Sequence, residues 1–172
     1  MSARQDHDDR TRVSASRNDE RPSHPACAVI GTVYLVGAGP GAPDLLTLRA
    51  ARLLARADIV FHDALVHPET VALAGRAQKV AVGKRCGKHS TAQQFINKRL
   101  VDAARVHRVV VRLKGGDPML FGRADEELRA LEAEGIEVEV VPGITTAVAA
   151  AAATKQPLTK RGVARSVAFF TS

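Results

Sequence analysis

Residues 32–57 read TVYLVGAGPGAPDLLTLRAARLLARA, and the change of period inside this stretch sets the fold class. Thr32–Val36 is an apolar run rich in β-branched and aromatic residues, the composition of a buried strand. It runs into a corner, Gly37-Ala38-Gly39-Pro40-Gly41-Ala42-Pro43-Asp44. Leu45–Ala57 then places Leu45, Leu46, Leu48, Leu53 and Leu54 along one helical face, with Asp44 positioned to cap its start. Strand, glycine corner and helix in this order open an α/β unit.

The same alternation recurs downstream. Asp58–His62, Lys79–Val82, Arg108–Leu113 and Glu137–Val141 read as further strands. A helix opening at Ser90 as a capping box with Gln93 separates two of them. Arg123–Glu134 reads as a helix charged on its outer face and closed by Gly135, and Ile144–Thr154 as an alanine-rich helix that packs closely. The sum is an α/β fold, a mostly parallel five-stranded sheet flanked by helices. Beyond Pro157, Ser166–Thr171 (SVAFFT) reads as one more strand, the first of a second domain.

Composition agrees with a globular chain: of 172 residues 45% are hydrophobic, 25% charged and 3% aromatic. A chain of this length buries enough surface to fold without disulfides. Cys27 and Cys86 are far apart and complete no C-x-x-C pattern, which excludes a disulfide scaffold and a zinc module, and no metal is expected. Reduced thiols point to the cytoplasm. The net charge is +7, and residues 1–28 contribute none of it, holding five Arg and five acidic residues. The basic remainder suits an anionic partner. Having no Trp and one Tyr weakens a single-strand nucleic-acid reading, and a small polyanionic substrate fits the charge equally well at this point. No apolar run is long enough to span a bilayer. Residues 1–28 have the composition of a disordered extension rather than a signal peptide.

Three glycine corners follow strands. In the first, Pro40 and Pro43 remove backbone donors where a dinucleotide fingerprint needs them, so the Rossmann reading is broken. The second is Arg112-Leu113-Lys114-Gly115-Gly116-Asp117-Pro118, whose paired glycines admit a ligand close to the backbone. The third, Val141-Pro142-Gly143-Ile144-Thr145-Thr146, adds hydroxyls. Any one corner is satisfied as a simple turn. All three at the carboxyl ends of parallel strands describe the rim of a small-molecule pocket. Asp63 after the second strand, and Lys84 with Arg85 after the third, are the acid–base candidates near that rim.

Taken in order, the runs Val36–Gly41, His62-Asp63-Ala64-Leu65-Val66, Val82-Gly83-Lys84-Arg85, Val110–Pro118, Phe121-Gly122-Arg123, Val141–Thr145 and Pro157-Leu158-Thr159 resemble those of the uroporphyrinogen-III C-methyltransferases, within the tetrapyrrole methylases. The resemblance covers residue 30 to the end. It implies transfer of methyl groups from S-adenosylmethionine to C2 and C7 of uroporphyrinogen III, giving precorrin-2 for sirohaem and cobalamin. It also implies two α/β domains with the cofactor in the cleft between them, and a homodimer. By position, Pro40, Gly115, Gly116, Asp117, Leu120, Thr145 and Thr146 would contact S-adenosylmethionine, Asp63 would accept a proton and Lys84 donate one. Residues 29–156 would form the N-terminal domain, and residues 157–172 the linker and first strand of a second domain mostly absent from this sequence. Ala42 stands where the family has Asp, Ala124-Asp125 where it has two glycines, and Lys160 where it has His. Two other readings remain at this stage: a methylase of a later precorrin, against which the Lys-Gly-Gly-Asp-Pro and Gly-Lys-Arg runs argue, and a non-catalytic domain that binds a tetrapyrrole or pairs with a partner.

Overall fold

The computed structural model describes residues 30–82 and 89–171. Lys84, Arg85, both cysteines and the N-terminal extension lie outside the described residues.

Among the described residues five strands form one sheet: β1 (Thr32–Gly37), β2 (Ile59–His62), β3 (Gln78–Ala81), β4 (Val109–Lys114) and β5 (Val138–Val141). Their order is β3-β2-β4-β1-β5, and every pairing is parallel. β1 and β4 occupy the middle, in register from Thr32 opposite Val109 to Gly37 opposite Lys114. Buried on both faces, they read as nearly continuous apolar runs, as central parallel strands do.

Among the described residues five helices accompany the sheet: α1 (Leu48–Arg56), α2 (Pro68–Ala72), α3 (His89–Ala104), α4 (Ala124–Glu132) and α5 (Thr146–Ala153). On one face Leu53 and Leu54 of α1 and Val71 of α2 pack with Tyr34, Val36, Val60 and Leu113. On the other, Leu100 of α3 and Leu131 of α4 pack with Val33, Leu35, Phe61 and Val110. α5 buries no residue, although its sequence is almost wholly apolar.

Several local expectations are corrected. α1 starts at Leu48 because Thr47, not Asp44, caps it, its hydroxyl accepting from the Ala50 N–H at 3.2 Å; Asp44 sits in a separate 3-10 turn. Ser90 is the second residue of α3 and its side chain lies outside the described ones, while Gln93 is buried and its amide donates to Asn97 and Glu127. α2 escaped the sequence reading, being five residues long and without an apolar period. Gly135 closes α4 as expected: at φ +67° it lets its own N–H reach the Glu132 carbonyl while Ile136 reaches that of Leu131. Ser166–Thr171 forms no strand. A strand needs a neighbouring ladder, and among the described residues this stretch has none; the nearest pairing is a single bridge between Lys160 and Ala164.

Candidate active site

The order of strands reverses between β1 and β4, and the crevice beyond their carboxyl ends is where an open α/β sheet binds ligands. All three glycine corners meet there. Gly39 and Gly116 exchange backbone hydrogen bonds of 3.2 and 2.8 Å, tying the β1 corner to the β4 corner. Asp117 ties the β4 corner to the β5 corner: its Oδ2 accepts from the Gly143 N–H at 2.9 Å, and its Oδ1 from Met119 at 2.8 Å. Gly37 and Gly143 are packed backbone to backbone, with no room for a Cβ on either.

Two cavities open on this junction. The larger, about 480 Å³, has Pro40, Asp63, Arg112, Lys114 and Leu120 in its wall. The second, about 420 Å³, lies between Gly115-Gly116-Asp117, Leu120, Thr145-Thr146 and the segment Ala168–Phe170. Both have the size of small-molecule sites. Of the residues expected to hold a cofactor, all but Pro40 line the second cavity, and Pro40 lines the first beside Asp63. Lys84 lies outside the described residues. The donor set fits an adenosyl ligand: Gly115 leaves its Cβ position open except for Leu65 at 3.6 Å, and Thr145 makes no side-chain cap bond to α5. The Thr145 and Thr146 hydroxyls are thus available at the cavity wall.

Beneath the first cavity lies a buried ionic network that sequence reading missed. Arg112 Nη2 donates to Asp63 Oδ1 at 2.6 Å and Arg112 Nε to Glu127 Oε1 at 3.0 Å. Lys114 Nζ donates to Glu127 Oε2 at 2.9 Å, and Gln93 Nε2 to Glu127 Oε1 at 3.2 Å. The side chains of Arg112, Lys114 and Glu127 are 3%, 5% and 0% exposed, whereas Asp63 is 30% exposed at the cavity mouth. The signals were present. Arg112 and Lys114 alternate with Val111 and Leu113 on a central strand, so both must face α3 and α4. Glu127 falls three residues after Ala124 and four before Leu131, on the buried stripe of α4 rather than on its charged outer face.

Burial holds the Lys114 ammonium below the ordinary lysine value of 10.5; Arg112 pushes in the same direction and Glu127 opposes. The folded chain therefore releases this proton at lower pH than the unfolded chain. Between the depressed value and 10.5 the unfolded state binds more protons, so this group makes stability rise with pH there. We expect the alkaline slope of the urea midpoint against pH to be more positive in the wild type than in Lys114→Met; identical slopes would contradict the assignment.

The loop above the network is strained. Phe121 and Arg123 both sit at φ +53°, and a Cβ on Gly122 between them would lie 2.4 Å from the Pro118 carbonyl oxygen. Such backbone persists where its surroundings over-determine it, and these positions cluster at functional sites. Arg123 pairs with Glu126 through Nε at 2.6 Å, setting the first turn of α4.

Comparison with known proteins places these features. The family model for tetrapyrrole (corrin/porphyrin) methylases matches residues 32–171. A siroheme synthase of Psychrobacter sp. (strain PRwf-1) is 52% identical over 158 residues, 91% of this chain and 32% of the relative. The chain thus spans about a third of the length of the curated relatives it matches. Among solved structures, uroporphyrin-III-C-methyltransferase from Thermus thermophilus aligns with a TM-score of 0.69 at 54% identity, covering 78% of this chain and 57% of that one. The same enzyme complexed with S-adenyl homocysteine aligns at 0.62 and 48% identity, over 77% of this chain and 52% of that one.

Proposed function

Because the chain belongs to the tetrapyrrole (corrin/porphyrin) methylases, we propose that it forms the N-terminal half of an S-adenosylmethionine-dependent methyltransferase acting on C2 and C7 of uroporphyrinogen III, with precorrin-2 as product. The observation that carries this reading is the placement of two cavities on one glycine junction. One is walled by the expected cofactor residues and the other by Asp63, Arg112 and Lys114. S-adenosylmethionine, when bound, supplies a methyl group on a positively charged sulfur, open to attack by an electron-rich pyrrole carbon.

The chain's own residues do the rest. Gly115 and Gly116 let the ligand approach the backbone, Thr145 and Thr146 offer hydroxyls, and Leu120, which lines both cavities, separates donor from acceptor. Asp117 holds the β4 and β5 corners in one geometry, so it supports the donor site as much as it touches it. Holding two reactants in line accounts for a large part of such a reaction's acceleration. Asp63 takes up the proton that the methylated ring sheds: Arg112 secures Oδ1, and among the described residues Oδ2 takes no hydrogen bond. Lys84 completes the pair as proton donor.

In this reading residues 29–156 are the N-terminal domain and 157–172 lead into the second domain, which closes the cofactor cleft. The protein works in the cytoplasm as a homodimer, without metal, nucleic acid or membrane. Exposed Leu65, Phe121 and Phe170 favour one alternative, a fragment that pairs with a partner without catalysis. Calorimetric titration with S-adenosylhomocysteine comes first, followed by anaerobic incubation with S-adenosylmethionine and uroporphyrinogen III, read by mass spectrometry. We expect micromolar binding and a mass gain of two methyl groups. Binding without transfer would select the alternative, and absence of both from folded protein would remove the proposal.

A further inference from the structure

We propose that Glu127 is a positioning residue for the proton acceptor: from inside α4 it fixes the Arg112 guanidinium, which in turn fixes the Asp63 carboxylate against the cavity. This rests on the role given to Asp63 above. Three contacts orient Arg112, and two of them lie in the interior: Nε donates to Glu127 Oε1 at 3.0 Å and Nη1 to the Leu113 carbonyl at 3.3 Å. A planar guanidinium held at both of these sites has one direction left for Nη2, and that direction is Asp63 Oδ1, at 2.6 Å. Glu127 is itself over-determined, accepting from Gln93, Arg112 and Lys114 while fully enclosed. The chain of control runs outward, from a carboxylate that cannot move to one at the mouth that meets the ligand.

Charge agrees with this order. Arg112 and Lys114 leave one positive charge uncompensated once Glu127 is counted, and Asp63 is the carboxylate that balances it. The balance explains why an acid can stay oriented at a site built for a polyanionic substrate: Asp63 is tied to the wall through Arg112 rather than left to turn away from incoming carboxylates.

The test compares Glu127→Gln, Asp63→Asn and the double variant, by kinetics and by ¹⁵N NMR of the arginine side chain. The two Nη groups of a locked guanidinium give separate resonances, and those of a free one merge. We expect Glu127→Gln to merge the Arg112 Nη signals, while Asp63→Asn leaves the Nε–H signal in place because Glu127 still holds it. In the methyl-transfer assay Glu127→Gln should lower kcat by about tenfold to a hundredfold, the scale of a misplaced reacting group. KM for the methyl donor should stay the same, and the Asp63→Asn background should show no further loss. Arg112 resonances that stay split in Glu127→Gln, or an equal loss of kcat in both backgrounds, would overturn the proposal. If Glu127→Gln does not fold, Glu127→Leu with Lys114→Met removes the anchor while keeping the site neutral, and is read in the same way against Lys114→Met alone. A wild-type chain that transfers no methyl would sink the proposed function, and the NMR comparison would still decide the role of Glu127.

Discussion

Gly143→Ala should cost at least about 3 kcal/mol of unfolding free energy and abolish binding of S-adenosylhomocysteine. The reason is space. A Cβ built on Gly143 lies 2.3 Å from the Gly116 carbonyl oxygen and 2.8 Å from Gly37 Cα, and all of these are backbone atoms that no side-chain rotation can clear. Relief requires the β5 corner to withdraw from the other two, which breaks the hydrogen bond from the Gly143 N–H to Asp117. Gly75→Ala is the control. Its Cβ meets nothing within 4 Å, and the change should be neutral or stabilising by about 0.4–1 kcal/mol through the unfolded chain. Urea denaturation of both variants measures the difference, and a Gly143→Ala chain as stable as Gly75→Ala would show that the corners are not locked together.

Arg112→Met should destabilise the protein by about 3–5 kcal/mol, because Asp63 loses its cation and Glu127 keeps Lys114 as its only charged partner in the core. Stability and function then separate. Replacing the buried set together, Arg112→Met with Glu127→Leu and Lys114→Met, leaves no unpaired interior charge and should recover most of that loss, since packed apolar side chains often match a buried ion pair. The same triple variant should transfer no methyl, because nothing remains to orient Asp63. A triple variant that is stable and active would mean that the network serves the fold alone.

The sheet was legible because its signal is redundant: β1 is an unbroken apolar run and β4 opens on three valines, each strand ending on a glycine corner at its carboxyl end. The corners also announced the rim, and the quoted motifs the family. What stayed hidden depends on facts that periodicity does not encode. Thr47 outcompetes Asp44 as a cap because the Pro43-Asp44-Leu45 turn is spent on its own 3-10 geometry. Glu127 reads as one more surface charge in a helix that begins Ala-Asp-Glu-Glu, and only its phase relative to Leu131 marks it as interior. SVAFFT has the composition of a strand, and composition does not supply the neighbour that makes one.

The central pairing of β1 with β4 has a kinetic consequence. Thr32 meets Val109, so the ladder that carries the site joins residues distant in sequence, and its closure entropy is spent before any of its contacts form. Such topologies fold slowly compared with helical bundles. During synthesis β1 leaves the ribosome with two open edges long before β4 exists. The glycine junction and the anchored carboxylate therefore come into being in one late event, and a partly folded chain, whatever helices it holds, has no binding site at all.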